Sequence, residues 1–422
     1  MGIDNLVSVI KTHAPESIID KHLSALRGFR LAVDISVFLY KFARTAGEAG
    51  WINLFITFLS KFIKYDIVTV CVFDGPNFPV EKRQEQQIRR EQTKKILAKH
   101  DECVELRNLI QDEYLDCSFD ENSPAKPLPN GLINQAKKLL SSTRKKDLTN
   151  YFDPDDIVSS LNEKIEKLRN QTVEISSNIK THAFQIVEML GLHAIQADGE
   201  AEGLCSYLAK KGMVNGVLTE DTDCLVYGTP FMFAYREYKM SDEKVVVIHL
   251  DTVLDSMAIT HSEFIDMCIL LKCDYNRLKI TETNELKPMS VLGVMPDING
   301  NVQPSQKTVA MGKVKIYELV TRYGGWESIK KYIVNQTDIK YERCREIFTE
   351  TPDLPFHEMF SKNSGADLEK LQKFATDNGI WIDFSKLYGV IQDTKITFES
   401  GSDDSDEELE KILNEQISQI DT

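Results

Sequence analysis

The amino-acid sequence predicts an α/β fold with a mostly parallel central sheet flanked by helices. Short apolar runs alternate with amphipathic segments near the start of the chain, and the same alternation returns after a long polar stretch. Alternating strand-like and helix-like periods are typical of parallel α/β units. Acidic residues also follow the strand-like runs directly, and the carboxyl ends of the strands form the usual ligand-binding edge of such sheets.

The first α/β unit is predicted from two apolar runs, FRLAVDIS and YDIVTVCVFDG, with a helix from Val37 to Ala46 between them. The polar stretch from 81 to 178 follows, with helical periodicity in its two arms and a Pro/Gly/Asn break at SPAKPLPNG. We interpret this stretch as a helical insertion over the core that becomes ordered on binding its ligand.

The core pattern resumes after the insertion. HAFQIVEMLGLHAIQA predicts a helix closed by Gly191 and then a strand. Asp198 is expected to open the next helix, because aspartate is a favoured N-cap residue. The segment VNGVLTEDTDCLVY predicts a further strand that ends at a cluster of acids.

Composition limits the class of protein. The chain has 422 residues, 42% of them hydrophobic, which is enough to fill one large or two ordinary cores. There is no apolar run of the ~18 residues that a membrane span needs, and MGIDNLVSVIKTHAP does not have the pattern of a signal peptide. We therefore expect no membrane partner and a location inside the cell, in the nucleus or the cytoplasm, although no clear nuclear import signal is present. We also expect a monomer.

The eight cysteines are scattered without a CxxC pair, and the eight histidines lack the spacing of a zinc site. The sequence therefore predicts free thiols and no structural zinc. The net charge of −15 at first argues against a nucleic-acid partner. However, the segment from Glu399 to Thr422 has nine acids and one lysine, so this tail contributes −8 and the rest of the chain only −7. We expect the tail to be disordered, with a short amphipathic helix at its end.

Seven acids stand where apolar segments end or helices begin: Asp34, Asp74, Glu200, Glu202, Asp221, Asp223 and Asp274. A single acid after a strand is most often a turn former or a helix cap. Repetition of this arrangement in separate segments instead predicts convergence at one edge of the sheet. Two carboxylates ~4 Å apart repel by about 4 kcal/mol in an effective dielectric of ~20. Such a cluster therefore predicts bound hard cations, Mg²⁺ or Mn²⁺.

Five segments resemble, in order and spacing, the structure-specific 5′ nuclease (XPG-type) family and within it the flap endonucleases. They are MGIDNLVSVIKTHAP, GFRLAVDISVFLYKF, VFDGPNFPVEK, ADGEAEGLCSYLAKKGMVNGVLTEDTDCLVYG and FIDMCILLKCDY. The resemblance implies a PIN-like or Rossmann-like core, an inserted helical arch or clamp, and a C-terminal helix-hairpin-helix region. It also implies cleavage of branched or flapped DNA in replication or repair.

On this resemblance we expect five parts. They are the N-terminal part of the nuclease core (1–80), the helical arch or clamp (81–178), the internal part of the core with the catalytic acids (179–275), a helix-hairpin-helix-like DNA-binding extension (276–398) and the acidic tail (399–422).

The resemblance also implies roles for the acids. Asp34, Asp74, Glu200 and Glu202 would form one side of a site for two Mg²⁺ ions, with Mn²⁺ as a substitute, and Asp221, Asp223 and Asp274 would form the other side. Such ions clamp the scissile phosphate and activate water. The products would be a 5′ phosphate and a 3′ hydroxyl.

Several further residues match positions that contact DNA in this family. Lys82 and Arg89 match the catalytic basic pair at the foot of the arch, and Arg90 is adjacent. Tyr40 matches a ring that stacks on a base, although a core aromatic is an open alternative. Gly2 matches a glycine whose small size lets the chain approach DNA.

The segment VAMGKVKIYELVTRYGG resembles the second half of the family's helix-hairpin-helix, in which a turn and a bound K⁺ contact a duplex phosphate. Gly312, Lys313 and Lys315 would make this contact. Ala310 replaces the usual first glycine, and a segment from about 276 to 308 separates the element from Asp274. A plain surface helix is therefore an open alternative.

Other functions remain open from the sequence. Within the family, a flap endonuclease is favoured over a 5′-3′ duplex exonuclease or a junction resolvase. A metal-dependent phosphatase with Asp221 as nucleophile, or a non-catalytic repair scaffold, would belong to other classes. The tail lacks the glutamine and paired aromatics by which many relatives bind the sliding clamp, so a clamp partner is not indicated.

Overall fold

The computed structural model describes residues 2–112, 128–140, 154–172, 175–235, 242–280, 286–303, 305–350, 360–384 and 387. The chain divides into two compact units. The first comprises Met1–Leu39, Ile52–Arg83 and Ser176–Thr422, and the second comprises Tyr40–Trp51 and Gln84–Ile175.

The first unit is built on a seven-stranded sheet. Its strands are β1 (Ile18–His22), β2 (Arg30–Asp34), β3 (Val68–Phe73), β4 (His193–Gln196), β5 (Gly216–Leu218), β6 (Phe231–Ala234) and β7 (Lys244–His249). In space, β6, β5, β2, β3 and β4 are parallel neighbours in that order, while β7 and β1 extend the β6 edge by antiparallel pairing. The predicted mostly parallel α/β sheet is confirmed, and the antiparallel edge was not predicted.

The helices in chain order are α1 (Leu6–His13), α2 (Ile35–Lys64), α3 (Val80–Ile110), α4 (Asn130–Leu140), α5 (Pro154–Gln171), α6 (Ser177–Met189), α7 (Ala201–Lys210), α8 (Asp223–Val226), α9 (Leu250–Met257), α10 (His261–Leu271), α11 (Lys313–Tyr323), α12 (Trp326–Ile329), α13 (Gln336–Ile339), α14 (Tyr341–Thr349) and α15 (Leu368–Asp377). The predicted end of this helix at Ala46 is confirmed, because the backbone of Gly47, with φ of 67° and ψ of −173°, is not helical. A second helical stretch, included here in α2, then continues to Lys64 and was not predicted.

Two predicted helix boundaries near the sheet have different outcomes. Gly191, with φ of 74°, follows α6 and leads into β4, which confirms the prediction. Asp198 does not open α7, because its carboxylate accepts a hydrogen bond from Asn77 Nδ2 at 2.8 Å within the preceding loop. The N-cap residue is Glu200.

The second unit has an apolar core of its own. Side chains of α3, α4 and α5 form this core, among them Cys103, Leu106, Ile133, Leu139, Ile157 and Leu161. The predicted helical arms therefore correspond to α3 and α5. The residues 113–127 and 141–153, which include most of the break at SPAKPLPNG, lie outside the described residues. The role of this unit as an arch stays a prediction.

The segment between α10 and α11 folds into two small antiparallel ribbons. The first pairs β8 (Leu278–Ile280) with β9 (Leu286–Pro288), and the second pairs β10 (Leu292–Gly293) with β11 (Val309–Ala310). Helix α11 packs against α10. The helix-hairpin-helix-like extension expected at 276–398 stays a prediction.

Residues 360–384 run back along the first unit. The side chain of Asn363 accepts a hydrogen bond from Thr69 N and donates one to Ile67 O, and α15 packs against α6. The predicted disordered tail and its amphipathic helix lie outside the described residues. Within the described part of the chain, no helix combines the length and apolarity needed to cross a membrane. The seven described cysteines are buried free thiols, as predicted.

Candidate active site

The parallel strands deliver three acids to one edge of the sheet. Asp34 is the last residue of β2, Asp74 directly follows β3, and Asp221 lies three residues beyond the end of β5. Because β5, β2 and β3 are parallel neighbours, their carboxyl ends meet at this edge. Asp34 is buried, and its Oδ2 accepts a hydrogen bond from Thr219 Oγ1 at 3.0 Å.

The start of α7 faces the same edge. Asp74 Oδ1 accepts a hydrogen bond from the backbone N–H of Ala201 at 2.9 Å, so an acid from β3 satisfies a donor in the first turn of this helix. Glu200 is the N-cap of α7 and Glu202 lies in its first turn. The positive end of the helix dipole favours carboxylates at these positions.

The TEDTD segment folds into a tight turn that leads into α8. Asp221 N donates to Thr219 Oγ1 at 3.0 Å, and Asp221 Oδ1 accepts from Asp223 N at 3.1 Å. One carboxylate oxygen from each of Glu202, Asp221 and Asp223 lies within 4.8 Å of the others. All three residues are buried, and neither carboxylate oxygen of Asp223 has a hydrogen-bond partner within the described structure.

Two cationic side chains complete the cluster. Lys82 Nζ lies 2.7 Å from Asp274 Oδ2, 3.2 Å from Glu200 Oε1 and 3.8 Å from Glu202 Oε1. Arg277 Nη1 lies 3.0 Å from Asp274 Oδ1. The structure thus brings all seven sequence-predicted acids into one connected group, together with Lys82.

The pKa values in the group indicate that its carboxylates are not fully balanced by positive charge. Burial, and then the charges of Asp74 and Asp221, raise the pKa of Asp34 to about 8. Burial likewise raises the pKa values of Glu202, Asp221 and Asp223. Protein interiors do not hold this many carboxylates close together without compensation. Oxygen ligands of this kind fit a hard divalent cation.

The pKa of Lys82 is also raised, but in a lysine this favours the charged form. Burial by itself lowers the pKa of an ammonium group, but the carboxylates of Glu202, Glu200, Asp274 and Asp221 together raise the pKa of Lys82 well above its ordinary value. The side chain therefore stays charged, and it supplies part of the compensation that the acids need.

Comparison with known protein families agrees with this arrangement. A model described as the XPG N-terminal domain matches residues 1–96, and one described as the XPG I-region matches residues 191–274. These two ranges contain all seven acids. The chain belongs to the XPG family. The family's nucleases depend on divalent metals, in agreement with the chemistry of the cluster.

Curated relatives of this XPG-family chain have low sequence identity. The probable RAD2-like endonuclease 369L of Invertebrate iridescent virus 6 is 24% identical over 350 residues, which cover 77% of this chain and 80% of that protein. Flap endonuclease 1 of Trypanosoma cruzi is 23% identical over 412 residues, 92% of this chain and 84% of that protein. Flap endonuclease 1 of Theileria parva is 27% identical over 65% of this chain, and the chain spans only 47% of its length.

Solved structures support the fold. The catalytic core of Rad2 in complex with a DNA substrate matches 92% of this chain and 100% of that chain, with a TM-score of 0.57 and 16% identity. Human GEN1 in complex with Holliday junction DNA matches 96% of this chain and 81% of that chain, with a TM-score of 0.53 and 16% identity. At this identity the likeness shows the α/β fold and no more.

The first residues of this XPG-family chain contact the segment that carries Asp221 and Asp223. Gly2 has φ of 86°, and a Cβ atom there would come within 2.2 Å of Asp221 Oδ1. Ile3 N donates to Thr222 Oγ1 at 3.0 Å, and Gly2 O accepts from Arg277 Nη2 at 2.6 Å. Only glycine fits this position without displacing an acid.

Sequence reasoning missed several residues that hold the acids in place. Tyr275 OH donates to Glu200 Oε2 at 2.6 Å and is hydrogen-bonded to Tyr227 OH at 2.8 Å. Thr219 bonds Asp34, and Arg277 pairs with Asp274. Tyr275 and Thr219 could have been noticed, because Tyr275 follows Asp274 in the motif CDY and Thr219 opens the motif TEDTD. Tyr227 and Arg277 carry no such signal.

The other predicted DNA contacts lie on α2 and α3 or at the start of α11. In the second unit, Arg89 and Arg90 are exposed on α3, and Tyr40 is 43% exposed, so it is not a core aromatic. In the first unit, Gly312 is the exposed N-cap of α11, and Lys313 Nζ donates to Ser8 Oγ at 2.5 Å. Lys315 is partly buried on the first turn of α11.

Proposed function

We propose that the chain is a divalent-metal-dependent, structure-specific 5′ nuclease that cuts DNA at junctions between single-stranded and duplex regions. The observation that carries this proposal is the convergence of the seven acids in one group at the carboxyl edge of the sheet. The names of the relatives, flap endonuclease 1 and RAD2-like endonuclease, support a 5′ flap as the preferred substrate. Additional 5′-3′ exonuclease activity is part of the proposal.

Two Mg²⁺ ions are the proposed cofactors, with Mn²⁺ as a substitute. Glu202, Asp221 and Asp223 are one candidate ligand group, because one carboxylate oxygen from each lies within 4.8 Å of the others and the oxygens of Asp223 have no hydrogen-bond partner in the described structure. Asp34 and Asp74 supply further oxygens at the same edge. When bound, such ions lower the pKa of water and stabilise the charge on a phosphodiester undergoing hydrolysis.

The chain's own residues prepare the site for a phosphate. Thr219 and Tyr275 fix the carboxylates of Asp34 and Glu200 by hydrogen bonds, so these ligands do not have to reorganise. The ammonium group of Lys82 is charged and lies among the acids, where it could attract and orient a phosphate oxygen. Because Gly2 has no Cβ atom, the start of the chain packs directly against Asp221 and Thr222, and on the family resemblance it would approach the DNA there.

The remaining DNA contacts are proposed on the family resemblance. Arg89, Arg90 and Tyr40 would contact the substrate from the second unit, the arginines through phosphates and the tyrosine by stacking on a base. In the first unit, the backbone at Gly312 and the side chains of Lys313 and Lys315 would contact a duplex phosphate. A K⁺ ion at this turn would assist them. The protein is proposed to act on DNA as a monomer, inside the cell.

Cleavage of labelled DNA tests this function. The purified chain is incubated with 5′-labelled single-stranded, blunt duplex, nicked, flapped and four-way-junction DNA, in Mg²⁺ and in EDTA. We expect Mg²⁺-dependent cutting of the flap at its junction. Preferred cutting of duplex ends or of junctions would select the exonuclease or resolvase alternative. Asp223→Asn in the acidic group should cut far less. Asp251→Asn, which changes an exposed acid on α9, is its matched control and should cut normally.

Two results would reject the proposal. Hydrolysis of small phosphate esters without cutting of any DNA would favour a phosphatase. Binding of flap DNA with no Mg²⁺-dependent cleavage would favour a non-catalytic scaffold.

A further inference from the structure

The loop between β10 and β11 holds an exposed apolar side chain on an ordered turn. Ile298 is 84% exposed. The turn from Asp297 to Gly300 is closed by a hydrogen bond from Gly300 N to Asp297 O at 3.0 Å and by one from Asp297 N to Asn301 O at 2.9 Å. Asp297 Oδ1 also accepts the backbone N–H groups of Asn299 and Asn301.

Two tyrosines fasten this turn to the helices that follow. Tyr323 OH, at the end of α11, donates to Asp297 O at 2.5 Å, and Tyr332 OH donates to Gly300 O at 3.0 Å. The φ of 79° at Gly300 is one that other residues rarely adopt. The position of Ile298 is therefore fixed by contacts that do not bury it. A single exposed apolar side chain is common on protein surfaces. Here the ordered turn also fixes its position, so little conformational freedom would be lost if a ligand buried it.

The stretch of sequence that contains the turn is basic, although the chain as a whole is acidic. From 286 to 334 there are seven lysines and arginines and three acids, a net charge of +4 in a chain whose net charge is −15. Of the acids, Asp297 is engaged by its own turn, and Glu327 pairs with Lys330 at 2.6 Å.

Two exposed cations stand next to the tyrosines that hold the turn. Arg322 precedes Tyr323, and Lys331 Nζ lies 4.9 Å from the centre of the Tyr332 ring. An exposed isoleucine together with two exposed cations is complementary to the edge of a DNA groove. There, phosphates flank the apolar faces of the sugars and bases, and isoleucine is among the side chains that proteins insert.

We propose that the Asp297–Gly300 turn is a second contact with duplex DNA, in which Ile298 packs into the minor groove while Arg322 and Lys331 bind the flanking phosphates. This inference rests on the proposed nuclease function and adds to the contact expected at Gly312 and Lys313. It also gives a role to the long connection between α10 and α11. Through the turn, binding would depend on the length of the duplex beside the cut. The turn would not take part in the chemistry.

Binding and cleavage measured on the same variants test the proposal. We expect Ile298→Ser to weaken binding of flap DNA with long duplex arms by roughly tenfold, because most of the apolar surface of the side chain would no longer leave water. The single-turnover cleavage rate at saturating protein should stay the same. Val334→Ser changes another exposed apolar residue, 59% exposed and outside the turn, and should bind normally.

Two further measurements use the same substrates. Shortening the duplex arms in steps should reach a length at which the native protein and Ile298→Ser bind equally. The double variant Arg322→Ala/Lys331→Ala should reduce the slope of log affinity against log salt by about two, because about one counterion is released per phosphate contact.

The possible outcomes separate this inference from the proposed function. Native binding by Ile298→Ser with cleavage intact would overturn the inference, leave the nuclease function standing, and point to a protein partner at the turn. An equal loss with Val334→Ser would also overturn it, because the effect would not be specific to the turn. Failure of the native protein to bind or cut any DNA would reject the nuclease function itself.

Discussion

The ammonium nitrogen of Lys82 lies 2.7 Å from Asp274 Oδ2, although 192 positions separate the two residues in the chain. Lys82 is in the first turn of α3, and Asp274 follows α10, so the contact ties the start of α3 to the acidic cluster. The chain thus places a permanent positive charge in the group of carboxylates that is proposed to bind metal. This relationship leads to the first prediction.

Lys82→Met should lower the single-turnover rate of flap cleavage by about 100-fold, because a preorganised positive charge at the reacting phosphate is lost. Arg83→Met is the matched control, because Arg83 is the next residue on α3 and is exposed. Its cleavage rate should stay close to that of the native protein. Equal rates for the two variants would show that Lys82 only balances the charge of the acids.

Asp223→Asn should abolish most cleavage while DNA binding is retained. It should also raise the melting temperature of the metal-free protein, because it removes a buried carboxylate whose pKa is raised by burial and by Asp221 and Asp274. Calorimetry with and without Mg²⁺ measures both the stability and the loss of metal stabilisation. A variant that is less stable without metal, yet still stabilised by Mg²⁺ as strongly as the native protein, would contradict the assignment.

The stability of the metal-free protein should fall as the pH rises. The pKa of Asp34 is about 8 in the folded protein against an ordinary 3.8, so between these values the folded state holds a proton that the unfolded chain has released. Stability therefore decreases through this interval. Mg²⁺ replaces such protons, so the rise in melting temperature on adding Mg²⁺ should be larger at about pH 8 than at about pH 6. An effect of Mg²⁺ that is independent of pH would contradict this account.

Gly2→Ala should impair cleavage severely, because its Cβ would lie 2.2 Å from Asp221 Oδ1 and 2.8 Å from the backbone nitrogen of Thr222. Gly212→Ala is a matched control, since Gly212 also has a positive φ, 69°, but has open space around its Cβ position. It should cost only about 1 kcal/mol of stability and leave cleavage unchanged. Normal cleavage by Gly2→Ala would mean that Asp221 can move without consequence.

Tyr275→Phe should reduce both stability and cleavage. It removes the hydrogen bond to Glu200 and leaves the buried hydroxyl of Tyr227 without this partner, at a cost of about 1–3 kcal/mol. Tyr235→Phe is the control, because the buried hydroxyl of Tyr235 has no hydrogen-bond partner in the described structure. Denaturant unfolding and cleavage rates check both variants. A Tyr275→Phe protein with native stability and a native cleavage rate would rule out the positioning role.

Much of the site could be predicted because its acids follow a simple rule. Asp34, Asp74 and Asp221 end or follow neighbouring parallel strands, so the position of each strand in the sequence locates its acid. The sequence does not reveal which side chains fix those acids. Thr219 follows β5 and Tyr227 follows α8. Their roles arise only in the folded chain, because the sequence does not show which acid or hydroxyl each side chain reaches.

The limits of the fold prediction have a similar cause. The edge strands β1 and β7 join the sheet by antiparallel pairing between segments more than 200 residues apart, and no local period indicates such a pair. The start of α7 was misplaced because Asp198 is a good cap in isolation. Its carboxylate instead bonds Asn77 from a distant loop.

The central claim is that the seven acids form a metal-dependent site for cutting DNA at a junction. Cleavage of a 5′-labelled flap by the native protein and by Asp223→Asn, each with Mg²⁺ and with EDTA, tests it most directly. We predict one main product cut near the junction by the native protein in Mg²⁺, and almost no product in the other three reactions. Cleavage that persists in EDTA, or that Asp223→Asn catalyses at the native rate, would contradict the claim.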